Sequence, residues 1–255
     1  MSLEEFCALL GSAHVIDLSQ TLEERMPGSP NHAKFFQHVW GSYDLGDRSL
    51  NLQVSMSDHS GTHVDAPAHF IGSSRPEAYV TVDRIPIKRF LARGCRIDCR
   101  SFEEGGYVSR SFLTEWERQH GELRAEDIVL LDFGWASRWA LRPDSGRYLE
   151  DFPGVAMDAA EYLVQKLVKG FGVDTLSPDP PEAHRQKRAI HPFVLEHQLL
   201  IFENLTNLSE LPHFFAFLGL PLKIRGGSGS PLRAIALTWD IPGGNESQEA
   251  DDDRN

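Results

Sequence analysis

The sequence of 255 residues predicts a mixed α/β fold, and three features lead there. Short apolar or alternating runs outnumber amphipathic helical stretches. Their order is irregular rather than a clean βαβα alternation, which favours a mixed sheet over a doubly wound one. Fifteen prolines, spread along the chain, impose many fixed loops.

Strands are expected at His14–Leu18, Leu50–Ser57, Cys95–Cys99, Asp127–Phe133, Gly172–Asp174, Leu199–Phe202, Pro221–Ile224 and Arg233–Thr238. The second of these alternates strictly, placing Leu50, Leu52, Val54 and Met56 on one face. Helices are expected over Ser109–His120 and Met157–Lys169. The latter sets Ala160, Leu163, Val164, Leu167 and Val168 at helical spacing and stops at Gly170.

Cys95 and Cys99, four apart in an expected strand, share a face and read as small hydrophobic residues. With Cys7, the three cysteines make no disulfide framework. No period of the repeat architectures is present. The stretch from Gly243 onward, GGNESQEADDDRN, offers no sizeable apolar anchor. The expected organisation is one domain over residues 1–242 and an acidic, disordered tail over 243–255.

The net charge of −12 argues against a nucleic-acid partner, which calls for a basic face. It argues equally against an anionic membrane surface. No apolar run reaches the ~18 to 20 residues that span a bilayer. Glu4 and Glu5 stand where a signal peptide carries Lys or Arg. The expected location is the cytoplasm, and the expected partner a small-molecule substrate.

The chemistry turns on His59-Ser60-Gly61-Thr62-His63-Val64-Asp65-Ala66-Pro67-Ala68-His69. Three imidazoles and a carboxylate lie within it. Chance produces this pattern in roughly one in a thousand sequences of such composition. The set of nitrogen and oxygen donors suits zinc, manganese or iron. Gly61 and Pro67 argue against a helix here. In an extended segment His63 and Asp65, two apart, project from one face. His59, His63 and Asp65 satisfy the three protein ligands of a mononuclear catalytic site. His69 is then free to act as a proton shuttle. Glu203 follows the apolar run Leu199-Leu200-Ile201-Phe202, and a carboxylate at such a strand end calls for a cationic partner.

The segment HSGTHVDAPAH resembles the HxGTHxDxPxH signature of the putative cyclase family, which includes bacterial kynurenine formamidases and isatin hydrolases. The resemblance runs from Val15-Ile16-Asp17-Leu18-Ser19 to Arg233-Ala234-Ile235-Ala236-Leu237. Between them lie Leu130-Leu131-Asp132-Phe133-Gly134-Trp135, Gly172-Val173-Asp174-Thr175, Glu203-Asn204-Leu205-Thr206-Asn207-Leu208 and Leu220-Pro221-Leu222-Lys223-Ile224.

The resemblance implies a swivelling β/β/α-type single domain, assembled as a homodimer or homotetramer. It assigns metal binding to His59, His63 and Asp65, and general acid/base work to His69. Binuclear members add a His and a Glu twelve apart, the spacing of His191 and Glu203. His184 and His197 compete for that second imidazole, and His197 reads as a surface residue. His14, His32, His38, His120 and His213 have no partner at ligand spacing and read as structural or surface groups. Asp174 and Asp179 flank a Pro-rich turn, and turn chemistry accounts for them.

The implied activity is metal-dependent hydrolysis of an amide-like bond in a cyclic or aryl amide, with one zinc or manganese site and a second in binuclear members. A cyclase or dehydratase using the same metal as Lewis acid is the rival enzyme class. A binding module that retains the fold without turnover is the rival outside catalysis. Kynurenine formamidases place a Trp after a Met-Pro-like pair. Here Met26-Pro27-Gly28-Ser29-Pro30 carries no aromatic residue, so an isatin-like or other cyclic compound is the expected substrate over N-formylkynurenine.

Overall fold

The run Ile128-Val129-Leu130-Leu131 is apolar at every position because both of its faces are covered. Ile128 and Leu130 enter one hydrophobic core, Val129 and Leu131 another. This two-sided burial organises a mixed α/β single domain. The computed structural model describes residues 1–239. The expected tail from Gly243, residues 240–242 and the side chain of His184 lie outside what is described.

In chain order the strands are β1 (His14–Asp17), β2 (Phe36–Gly41), β3 (Asn51–Ser55), β4 (His63–Asp65), β5 (Leu91–Asp98), β6 (Tyr107–Val108), β7 (Ile128–Asp132), β8 (Gly154–Val155), β9 (Gly170–Val173), β10 (Leu200–Glu203), β11 (Phe214–Pro221) and β12 (Gly229–Thr238). The helices are α1 (Leu3–Gly11), α2 (Arg110–His120), α3 (Gly146–Leu149), α4 (Met157–Gln165), α5 (Pro181–Arg185) and α6 (His191–Glu196).

The main sheet runs β1-β12-β11-β5-β7-β9-β10-β4, and β4 also pairs with β12. That last pairing closes a seven-stranded barrel, with β1 outside it on β12. The pairs β5–β7, β7–β9 and β9–β10 are parallel, and the others antiparallel. Phe202 and Phe217 meet edge to face inside the barrel, 5.1 Å apart. Such a contact is worth about 0.5 to 1.5 kcal/mol beyond burial. Gly172 is required by this packing, since a Cβ there would lie 2.7 Å from Leu205 and 2.9 Å from Leu130. Outside the barrel, α2, α4 and α6 cover one side with Leu113, Trp116, Ala160, Leu163, Val194 and Leu195.

Helix α2 starts where expected, with Ser109 capping the Phe112 amide. Helix α4 ends at Gln165, short of the expected Lys169. Leu167 turns to φ +57°, and Gly170 opens β9 instead of stopping a helix. Cys95 and Cys99 are buried in the outer core, as small hydrophobic residues should be. One strand expectation fails. The strand placed at Pro221–Ile224 is β11, which ends at Pro221. The alternating run from Leu50 does form a strand, β3, paired with β2, and it leaves Leu50, Leu52 and Val54 exposed.

Candidate metal centre and catalytic site

Gly61 turns the chain between His59 and His63. Its φ is +59°, and a Cβ would lie 2.4 Å from Leu22 Cδ2, so glycine is demanded twice. The chain then enters β4, between β10 and β12. Val64 points into the barrel core, so His63 and Asp65 project outward. Glu203 on β10 stands directly opposite His63. His191 arrives as the first residue of α6, before Pro192 in the first turn.

These residues converge. His63 Nε2 lies 3.4 Å from Asp65 Oδ1 and 3.3 Å from Glu203 Oε2. His191 Nε2 lies 3.3 Å from Asp65 Oδ2 and 3.1 Å from Glu203 Oε1. His59 Nδ1 is 2.7 Å from Asp65 Oδ1. All five side chains are buried.

The far side of each ring is held. His63 Nδ1–H donates to the Gly61 carbonyl at 2.9 Å. His191 Nδ1–H donates to Asp179 Oδ2 at 2.6 Å. The Ser228 hydroxyl gives its proton to Asp58 at 2.9 Å, so it accepts from His59 Nε2–H, also at 2.9 Å. A neutral imidazole has one N–H. Each inner nitrogen therefore presents a lone pair to the carboxylates.

Lone pairs and carboxylates repel unless a proton or a cation sits among them. Burial pulls the His63 imidazole down, but hydrogen bonds to Asp65 and Glu203 outweigh it and raise its pKa to about 10. The carboxylates that hold a proton there so firmly would hold a divalent ion in its place. Asp65 Oδ2 is buried and accepts no hydrogen bond, an orphaned oxygen at the centre of the cluster. His63, Asp65 and Glu203 form one group of converging donors; His59, Asp65 and His69 form a second. Asp65 is common to both. The converging nitrogen and oxygen donors fit a divalent ion.

His69 lies on the turn Pro67–His69, half-buried, its ring 3.9 Å from that of His59. Burial lowers its pKa to about 4, so the ring is neutral near pH 7. Its ring makes no hydrogen bond among the described residues.

The structure thus gathers all six expected site residues, and it adds some that were missed. His32, read as a structural or surface residue, sits with its ring 5.2 Å from His59 and 6.2 Å from His69, because the segment 26–35 folds over the site. Asp179 is more than a turn residue. It accepts the amides of Ile190 and His191 as well as the His191 ring. Burial alone would raise its carboxyl; these donors hold it below the usual range. Asn204 donates to the Gly61 carbonyl at 2.9 Å and is itself oriented by the Tyr148 hydroxyl at 2.8 Å. His197 is exposed, as expected. His120 and His213 stack on each other at 4.0 Å, beside Trp116.

A cavity of about 820 Å³ opens over the cluster, walled by residues 26–35, Phe70, Arg142, Leu149, Phe152 and Leu176. Residues 16–180 match the family model described as Putative cyclase. An isatin hydrolase of Roseibium aggregatum is 32% identical, the match covering 90% of this chain and 93% of that protein.

The chain belongs to the Putative cyclase family.

Another relative of this cyclase-family chain is a kynurenine formamidase of Erythrobacter litoralis, 28% identical over 86% of this chain and 91% of its own. Among solved structures, isatin hydrolase A from Ralstonia solanacearum superposes with a TM-score of 0.84 at 32% identity, over 93% of this chain and 97% of that one. The expected fold is therefore the fold of the family.

Proposed function

We propose that this chain is a divalent-metal-dependent hydrolase that opens the carbon–nitrogen bond of a cyclic or aryl amide. One observation carries the proposal: three imidazole nitrogens and two carboxylates meet at a buried point beside the uncommitted ring of His69. The names of the relatives, isatin hydrolase and kynurenine formamidase, support hydrolysis over ring closure.

His59, His63 and Asp65 hold the ion, zinc or manganese, and His191 and Glu203 complete the donor set. When bound, the ion supplies Lewis acidity toward a carbonyl and makes a water more acidic. A free ring nitrogen of His69 takes a proton from water and returns it to the leaving nitrogen. The Gly61 carbonyl, Asp179 and Ser228 hold each ring's N–H on its outer nitrogen and so turn the three inner nitrogens toward the ion. Phe70, Phe152, Leu149 and Leu176 hold an apolar ring and exclude bulk water.

The working protein is a cytoplasmic homodimer or homotetramer with no nucleic-acid partner. Among the described residues, no helix is long and apolar enough to cross a membrane. The β2–β3 hairpin supports self-association. It is a lone pair of strands, marginal in water by itself, and it exposes Phe36, Val39, Trp40, Leu50, Leu52 and Val54.

The test is a screen of metal-reconstituted protein against formyl-anilides, isatins and cyclic imides, read by product mass. For the cyclic compounds a product heavier by one water supports the reading, and for the formyl-anilides the pair formate and aniline does. A product lighter by one water, or unaltered mass across the whole panel, contradicts it.

A further inference from the structure

We infer that Arg142 is an anion anchor in the cavity wall, and that the substrate carries a carboxylate separate from the bond that is cleaved. The inference rests on the hydrolase reading for the word substrate, and on the cavity alone for the anion site.

Arg142 is clamped by its backbone. Its N–H donates to the Arg25 carbonyl at 2.9 Å, and its own carbonyl accepts from the Arg25 guanidinium. The side chain is half-buried and lines the same cavity as the histidine cluster. A guanidinium has five N–H donors. Here one reaches the Gly28 carbonyl, at a long 3.4 Å, and Arg142 forms no ion pair among the described residues. Two other inward-set guanidiniums meet carboxylates, while half-buried Arg89 is taken up by the Lys169 and Gln198 carbonyls, so Arg142 is set apart by facing the cavity with one long contact. Arg93 grips both oxygens of Asp127 through two of its nitrogens. Arg96 is forked onto Asp132. The acids that line the cavity are already engaged: Asp179 takes His191, and Glu203 faces His191 and His63. A half-buried cation left without an anion is stabilised by one that arrives with the ligand.

Lys34 lines the cavity as a second cation without an ion pair among the described residues. The pair matters in a chain of net charge −12, which repels an anionic substrate at long range and needs local positive potential to admit it. Size agrees. About 820 Å³ lies high in the usual range for small-molecule cavities. That leaves room for an acidic arm beyond a single amide-bearing ring. The ligand class is an aryl or cyclic amide with a pendant carboxylate.

The experiment is calorimetric titration of metal-reconstituted protein with 3-phenylpropanoate and with its neutral counterpart, 3-phenylpropanamide. Wild type, Arg142→Gln and Arg142→Lys are compared. The acid should bind Arg142→Gln about tenfold more weakly or worse, as expected for losing a charge-assisted hydrogen bond. The amide should bind the two alike, and Arg142→Lys should recover part of the lost affinity. An equal loss for acid and amide would make Arg142 a structural clamp only. No loss for the acid would place its carboxylate elsewhere, on the metal included. Either result overturns the anchor. None of these readings needs turnover. A selective loss of acid binding in a protein that hydrolyses nothing would sink the hydrolase reading and leave the anchor standing.

Discussion

His63 and Glu203 stand opposite each other on β4 and β10, with Nε2 and Oε2 3.3 Å apart. Two residues far apart in the chain become ligand-spaced neighbours through strand register alone. A slip by one position would turn Glu203 toward the barrel interior, against Phe217 and Leu130. The barrel packing that fixes the register thus also builds the candidate metal centre.

The orienting carboxylate gives the first prediction. In Asp179→Asn the His191 ring keeps a hydrogen-bond acceptor but loses the charge that favours its Nδ1–H tautomer. Metal affinity should fall by about 10- to 100-fold, the usual effect of such outer partners, as measured by competition with a chelator. Unchanged affinity would remove His191 from the metal site.

His69 is separable from the ligands. His69→Ala should keep its metal while turnover of a substrate found in the screen drops by roughly 10² to 10⁴. Metal analysis and kcat, measured on the same preparation, check both halves. Loss of metal along with activity would make His69 a ligand.

Much of this site was legible because its densest part is contiguous. His59, His63, Asp65 and His69 fall within one segment, and the glycine and proline around them exclude a helix. His191 was reached through family resemblance alone; Glu203 was marked also by its place after an apolar run, but its meeting with His63 depends on the β4–β10 register. Nothing local announces Asp58, Ser228, Asp179 or Asn204 as orienting groups, because each acts on a residue distant in sequence. His32 was missed for the same reason. In the fold, the eight-residue β11 escaped because an unbroken apolar run such as Phe214-Phe215-Ala216-Phe217-Leu218 has no period that separates strand from helix. Helix α1 did carry a signal, the capping box between Ser2 and Glu5. The strand at Asn51–Ser55 was found, but alternation does not say what covers its apolar face.

That uncovered face gives the third prediction. Trp40 is 73% exposed and Leu52 48%, on a hairpin that packs on little else. If a second copy covers it, Trp40→Glu combined with Leu52→Glu should lower the solution mass toward that of one chain, measured by light scattering. An unaltered oligomer would place the interface elsewhere.

Substrate choice follows from Ser29. The segment 26–35 lines the cavity with no aromatic at Ser29, so an aryl formamide lacks a stacking contact worth about 0.5 to 1.5 kcal/mol. N-formylkynurenine, although it carries a carboxylate for Arg142, should show a lower kcat/KM than at least one carboxylate-bearing isatin-like or other cyclic compound at matched metal loading. A kcat/KM for N-formylkynurenine above that of every cyclic candidate would contradict this.

The central claim is that His63, Asp65 and their neighbours hold a metal ion, and elemental analysis of the purified chain addresses it most directly. The account predicts zinc or manganese bound to the wild-type protein, most of it lost in Asp65→Ala, and a lower stoichiometry or weaker affinity in Glu203→Ala. Asp65→Ala with full metal occupancy, or a wild-type protein that takes up neither metal on reconstitution, would contradict it.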